Sequence, residues 1–463
     1  MENFWDFNVW SFIFIIAVLL SSLLLANSLK KTIKFLQKSL IPTPVLGGLI
    51  LLLITTIYYA ISGKVMFDTA IFNENGMKVL EIITYHCLAL GFIASSLKTS
   101  DKKLTKKRTF EIFDSGVTTV ATYVIQGLVG LGATILISKL INPELFSSSG
   151  VLLCFGYGQG TGQAMNYGNI YETQYGFVGG KNFGLTIAAL GFLSASIGGV
   201  FHLHLMKKKG KAFIRSEKVS DRQTVEEIQS SAEIPMNGSM DKLTVQIGFI
   251  FIAYLLAYLI MFGLGELASG MKSVIYGFNF LIGVITASLV KVFMNLLKKA
   301  NIAKKQYTNN FLLNRLSNFF FDLMIVAGIA AIRLDLIKDY WVVLLVIGVL
   351  GLVITYIYNK FVAKKLFAEY EDEQFLAMFG MLTGTASTGV ILLREIDGDL
   401  KTPAFDNLVF QTIPAIVFGL PMLFVATIAP EMPEITLLIL AGYFIVLNLI
   451  LFRSIIFRKK KKA

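Results

Sequence analysis

Charge is scarce in this sequence. Lys, Arg, Asp and Glu make up 16% of the 463 residues, while 55% are hydrophobic. With a mean hydropathy of +0.68, that scarcity excludes an ordinary soluble protein and indicates a polytopic helical membrane protein. Cysteine is scarcer still. Cys87 and Cys154 are the only two, both inside apolar stretches, so a disulfide framework or zinc site has nothing to build on. The three histidines, His86, His202 and His204, form no HExxH pair, and no nucleophile–base–orienter set is present. An enzyme is therefore not expected, nor is an organic cofactor. Acidic residues are outnumbered, 30 against 42 basic, for a net charge of +12. The basic residues lie in short loops between apolar runs, without interleaved aromatics, so the positive-inside rule accounts for them and nucleic acid is not an expected partner. The first apolar run follows Glu2 and Asp6 and lacks a basic n-region. It reads as a retained span in contact with lipid and not as a signal peptide.

Long apolar runs are what the sequence has in plenty. At about 20 residues per crossing, eleven all-α spans are expected. The first half supplies 9–29, 45–61, 77–97, 116–140 and 183–205. The second supplies 243–264, 274–297, 316–337, 340–362 and 405–428, with Pro414 and Pro421 expected to bend the last. A further helix, 433–457, precedes the basic tail 458–462.

Two stretches interrupt this pattern. In 155–168, FGYGQGTGQAMNYG, Gly156, Gly158, Gly160 and Gly162 recur at every second position. Each glycine costs a helix about 1 kcal/mol relative to alanine, so 150–172 is expected to be a broken segment with bare backbone groups. Glycines for close helix packing are the alternative. That alternative explains less well the polar groups of Gln159, Thr161, Gln163 and Asn166. A phosphate-binding loop is not supported, because no Gly-Lys-Ser/Thr ending or flanking strand is present. The second stretch, 381–394, MLTGTASTGVILLR, sets Gly384 and Gly389 among hydroxyls, giving a broken segment over 373–396. Paired interruptions in two halves point to a transporter's binding site.

Loop charge decides whether the broken segments cross. If neither does and the N-terminus is outside, the basic loops 30–38, 98–108, 207–242, 298–315 and 360–365 and the C-terminal tail are all cytoplasmic. A crossing by either segment alone would move later basic loops outside. Both are therefore expected to re-enter, the first from outside and the second from the cytoplasm, with tips meeting near the midplane. The expected organisation is a first repeat at 1–206, a cytoplasmic linker at 207–242, a second, inverted repeat at 243–430, and an extra helix and tail at 431–463. GFIASSL at 91–97 and GIAAIRL at 328–334 hold matching places in the two halves.

The candidate substrate ligands are Gly158, Gln159, Gly160, Thr161, Gly162 and Asn166 in the first segment, with Thr385, Ser387 and Arg394 in the second. An arginine at position 394 either holds a substrate carboxylate through paired bonds or pairs with Glu395 or Asp397. For a small cation, hard oxygen ligands are needed. Sodium candidates are Thr161, Thr383, Thr385, Ser387 and Thr388. Asp322, one turn after Asn318, either joins them or pairs with a nearby base.

The motifs resemble those of the bacterial sodium/glutamate symporter family. IPTPVLGG at 41–48 is similar to its second-helix start, ALGFIASSL at 89–97 to its third helix, and GYGQGTGQAMNYGNIYETQYGF at 156–177 to its first re-entrant motif. The resemblance implies inverted five-helix repeats, opposed re-entrant segments, a homodimer in the bacterial cytoplasmic membrane, and sodium-coupled glutamate uptake by an elevator-like motion. Residues 157–159 depart from the usual Gly-His, Ser387 stands near an expected proline, and Arg394 stands where glutamine is typical. An arginine there would favour a more highly charged anion, so a citrate-type di- or tricarboxylate is the alternative substrate.

Overall fold

In a bilayer every backbone N–H and C=O must be paired within the protein, and uninterrupted apolar runs achieve this as helices. The computed structural model describes residues 3–99, 105–210, 233, 240–302, 305–398 and 401–456. Most of the expected linker and all of the basic tail 458–462 lie outside the described residues.

The first half contains α1 (Phe7–Thr32), α2 (Thr43–Ser62), α3 (Gly76–Ser96), α4 (Lys106–Leu140), the short helices α5 (Leu152–Gln159) and α6 (Thr161–Tyr175), and α7 (Gly180–Lys208). The second contains α8 (Lys242–Leu267), α9 (Asn279–Lys299), α10 (Asn310–Ala330), α11 (Trp341–Leu366), the short pair α12 (Glu371–Leu382) and α13 (Ala386–Arg394), then α14 (Pro403–Phe410) and α15 (Thr412–Ile428). Helix α16 (Pro433–Leu451) follows, and a helical turn at Arg453–Ile456 ends the described residues. Among the described residues, ten helices are long and apolar enough to cross a membrane. Counted as one span, the pair Pro403–Phe410 and Pro414–Ile428, bent by 48°, makes an eleventh.

Several helix starts are written locally. Thr105 accepts from the Arg108 N–H, Asp241 from Leu243 and Thr244, and Asn309 from Leu312, so each side chain satisfies donors that the first turn leaves unpaired. One expected boundary is corrected. The span placed at 316–337 stops at Ala330, and Arg333 and Asp335 lie beyond it. There Arg333 clasps Asp335 through Nε at 2.8 Å and Nη2 at 2.5 Å, and its backbone N–H donates to Asn182 Oδ1. A clasped ion pair has no place in a lipid-facing turn, and the chain leaves the helix before reaching it.

The halves intermesh. Helix α3 packs along α10, where a Cβ on Gly91 would come within 2.7 Å of the Phe321 ring. Ser317 donates to the Gly91 carbonyl across the same seam. Helix α4 packs along α11 and α16, tied by Gln126 to Thr355 at 2.8 Å and by Arg453 to Asp114 at 2.6 Å. Third helix thus meets third and fourth meets fourth across the two halves.

Candidate functional site

Only one of the four alternating glycines breaks the chain. Gly160 sits at φ +81° and ψ −171° between α5 and α6, in a region that only glycine occupies readily. Gly156, Gly158 and Gly162 are helical, so the break expected within 150–172 is confined to Gly160. Their role is close approach. Added Cβ atoms would fall 2.6 Å from Ile187, 2.3 Å from the Tyr123 ring and 2.8 Å from Leu88 respectively. The penalty for glycine in a helix is offset here by contacts that no larger residue permits.

Around Gly160 the chain folds back. Phe155 and Tyr167 stack with ring centroids 3.7 Å apart, although twelve residues of continuous helix would separate them by about 18 Å. Helix α6 is anchored by a row of tyrosines on α15. Tyr167, Tyr171 and Tyr175 donate to the carbonyls of Leu423, Ala426 and Thr427. The last two of those carbonyls belong to the final turn of α15, where the helix itself offers no donor.

The second break repeats the geometry. A Cβ on Gly389 of α13 would lie 2.4 Å from the Ala377 carbonyl of α12, so these two helices also fold against each other. Between them lie Thr383, Gly384 and Thr385. Gln126 of α4 donates to the Leu382 carbonyl at 2.8 Å, covering the end of α12. The Thr383 hydroxyl turns back to Phe379, and those of Thr385 and Thr388 lie 3.3 Å apart.

The two breaks meet. A Cβ on Gly160 would sit 3.5 Å from Thr385 Cγ2 and 3.6 Å from the Gly384 carbonyl. Beside this contact is a cavity of about 210 Å³, smaller than the roughly 300–1,000 Å³ of drug-sized sites. Of the residues singled out in the sequence, Gly158, Gln159, Gly384, Thr385 and Ser387 line it. Thr161, Thr383 and Thr388 are buried just behind, Thr161 with its hydroxyl 3.4 Å from the Met324 carbonyl. Gly160 and Gly162 supply the turn and a packing contact. Asn166 faces elsewhere, donating to Gln163 at 3.1 Å and to the Gly277 carbonyl at 3.3 Å.

Two candidates stand apart. Arg394 ends α13 with an exposed side chain that forms no ion pair with Glu395 or Asp397. Asp397 is occupied instead by Lys401 and Thr402. Asp322 is half-buried on α10 and bonded to no described residue, and it does not line the cavity.

The sequence reading missed the other wall. Thr119 and Tyr123 of α4 and Gln411 and Thr412 of the bent span line the cavity. Ser115 Oγ and Thr119 Oγ1 lie 2.6 and 3.0 Å from Gln411 Oε1, and Gln374 donates to Ser115. A signal was present. Ser115, Thr119, Thr122 and Gln126 recur at helical spacing inside an apolar run. His202 lies between the Tyr356 hydroxyl at 2.9 Å and Asp372 at 3.1 Å. Among the described residues no cluster of three or more His, Cys, Asp or Glu side chains could hold a metal ion. What the site presents is hydroxyls, amides and freed carbonyls, ligands suited to a small hard cation.

Residues 7–392 match the family model described as sodium/glutamate symporter. No curated protein matches the chain.

Proposed function

This chain belongs to the sodium/glutamate symporter family, a family of transporters and not of enzymes. From that premise we propose that it is a secondary transporter coupling inward sodium movement to uptake of a small amino-acid or carboxylate anion, with glutamate the first substrate to test. The contact between Gly160 and the Gly384–Thr385 turn carries this reading. It joins two helix breaks from different halves of the chain beside one small cavity, the arrangement expected of a midplane transport site.

The finer architecture follows on the same reading. The halves are inverted repeats of five spans each, and both folded-back pairs, α5–α6 and α12–α13, are re-entrant. Pairing of α3 with α10, of α4 with α11 and of break with break supports this, because a pseudo-two-fold axis in the membrane plane brings equivalent elements together. Loop charge supports an outside N-terminus, a cytoplasmic C-terminus and residence in a bacterial cytoplasmic membrane. The family resemblance supports a homodimer and an elevator-like motion.

Substrate is assigned to the cavity edge formed by Gly158, Gln159, Thr385 and Ser387. Sodium is assigned to the oxygens of Thr161, Thr383, Thr385, Ser387 and Thr388. Arg394 and Asp322 are left out because neither lines the cavity. The citrate-type alternative rested on Arg394, and with that side chain exposed it loses its basis. The deciding test is thermal unfolding with a panel of carboxylates and amino acids, with and without sodium. A ligand at a hundredfold excess over its dissociation constant stabilises by about 2.7 kcal/mol. Stabilisation by a carboxylate or amino acid only when sodium is present is the expected result. Sodium-independent effects throughout would end the symport reading.

A further inference from the structure

The direction in which the Gln411 amide points is set away from the cavity. Arg108, near the start of α4, carries only donors on its side chain. Its Nη2 donates to Asn407 Oδ1 at 2.9 Å, so Asn407 presents its oxygen there and its nitrogen on the other side. Tyr370 imposes the same direction independently. Its hydroxyl proton goes to Glu111 Oε2 at 2.9 Å, and it accepts from Asn407 Nδ2 at 3.0 Å. Asn407 Nδ2 also donates to Gln374 Oε1 at 2.9 Å. That leaves the Gln374 nitrogen to face Ser115 Oγ, at 3.2 Å. Having accepted from Gln374, Ser115 donates onward to Gln411 Oε1 at 2.6 Å, with Thr119 Oγ1 a second donor at 3.0 Å. Every bond runs one way, from Arg108 to Gln411.

The chain ends in an oriented donor. With Oε1 turned to α4, Gln411 Nε2 is left for the cavity, which this residue lines. Among the described residues it meets only the Met381 sulfur, at 2.9 Å, a weak acceptor. Gln411 is 2% exposed, so bulk water does not satisfy it instead. Packing holds the arrangement, because Gln411 sits in the bend between α14 and α15. Helix α4 reaches that bend through Gly116, where a Cβ would lie 2.8 Å from the Gln411 carbonyl oxygen. An amide nitrogen has no lone pair to give, so neither sodium nor a substrate's ammonium group binds to it. It takes an acceptor, and a carboxylate oxygen is a far stronger one than a thioether. The oxygens that suit a cation lie at the breaks, with Thr385 and Ser387.

We propose that Gln411 is a substrate ligand whose N–H2 donates to a carboxylate oxygen, and that Arg108, Asn407, Gln374 and Ser115 are positioning residues that hold the amide in that sense. None of those four lines the cavity. Position 411 also lies beyond residues 7–392, the stretch that matches the family model. The inference rests on the cavity being the transport site and names the group that orients the substrate there.

The test is sodium-driven uptake of labelled L-glutamate in proteoliposomes holding the full chain, with half-saturation and maximal rate measured separately. Gln411→Glu replaces the donor by an acceptor of the same shape. Gln411→Met removes the donor without adding charge, and serves alone if the first variant does not fold. Either should raise the glutamate half-saturation roughly tenfold or more, the weight of a hydrogen bond to a charged group. Asn407→Asp tests the chain from outside the cavity. Two accepting oxygens at 407 turn the Gln374 nitrogen toward them, Ser115 then donates to Gln374, and Gln411 reverses to show the cavity its oxygen. Half-saturation should rise as in Gln411→Met, with the maximal rate within twofold. Adding Gln374→Met to Asn407→Asp cuts the chain and should bring half-saturation back toward wild type, which a merely structural role for Asn407 would not do. Wild-type half-saturation in both Gln411 variants would overturn the inference and leave the symport reading intact. Wild-type half-saturation in Asn407→Asp, or no recovery in the double variant, would overturn the positioning chain. Absence of sodium-driven uptake of L-glutamate, L-glutamine, malate and citrate by the unaltered chain would remove the symport reading and this inference together.

Discussion

Replacing Gly160 by alanine tests the central contact with the least chemical change. Space is not the obstacle, because the nearest atoms to the new Cβ would be Thr385 Cγ2 at 3.5 Å and the Gly384 carbonyl at 3.6 Å, ordinary contact distances. The obstacle is the backbone. At φ +81° and ψ −171°, a residue with a Cβ costs about 1–3 kcal/mol. That strain has two outlets. If the tip keeps its shape, the whole protein loses that stability. If the tip relaxes, it moves off Gly384 and Thr385, and half-saturation for substrate rises by about 5- to 150-fold at 1.4 kcal/mol per tenfold.

Gly176→Ala is the matched control. It too has a positive φ, +70°, but no atom lies within 4 Å of its Cβ position and it is remote from the cavity. A left-handed alanine there costs about 1–2 kcal/mol, which should lower the unfolding temperature without touching transport. Uptake kinetics and thermal unfolding of both variants, measured side by side, decide the matter. Wild-type half-saturation and wild-type stability in Gly160→Ala would refute the reasoning. So would equal loss of transport in both variants, which would make the tip a matter of general stability.

Other substitutions probe the surroundings. Thr385→Ala or Ser387→Ala should raise the sodium concentration needed for half-maximal uptake more than it lowers the rate at saturating sodium; unchanged sodium curves in both would move the cation away from the second break. Gln126→Leu removes the donor to the Leu382 carbonyl and the Thr355 hydroxyl, and leaving buried groups unpaired should cost about 1–3 kcal/mol in unfolding measurements. Arg394→Gln should leave half-saturation for every carried substrate within twofold, since the side chain is exposed and away from the cavity; a tenfold rise would return it to the substrate site. Tyr171→Phe should lower stability by about 1 kcal/mol through the lost bond to Ala426, and an unchanged unfolding midpoint would mean that α6 is held on α15 by packing alone.

The spans were legible because a bilayer imposes one rule, continuous apolar length, and the sequence obeys it. Position 160 was legible as part of a glycine cluster, but the cluster alone could not say which glycine turns. Gly156, Gly158 and Gly162 look the same in sequence. They differ in the structure because Ile187, Tyr123 and Leu88 press on them from helices distant in the chain. The place of Arg394 was hidden for a related reason. An arginine near a helix break suggests a ligand, yet nine residues of α13 carry it away from the turn to an exposed position. Gln411 was under-read, since one amide in a long apolar span gives no hint that Ser115 and Thr119 converge on it.

These particulars bear on how coupling would arise in the proposed site. Among the described residues the cavity wall holds no carboxylate. A sodium ion held only by hydroxyls and carbonyls at the second break would keep its full charge, and so would a substrate carboxylate held only by neutral donors. Each is then the counter-ion of the other. At a separation of about 4 Å and an effective dielectric constant near 20, their attraction is about 4 kcal/mol, roughly a thousandfold in mutual affinity, and linkage makes that factor the same in both directions. A fixed aspartate in the wall would weaken this dependence by letting sodium bind alone, and a fixed arginine would do the same for the substrate. With neither among the described lining residues, the empty and doubly occupied cavities would be the favoured states of the proposed site, the condition that prevents either partner from being carried without the other.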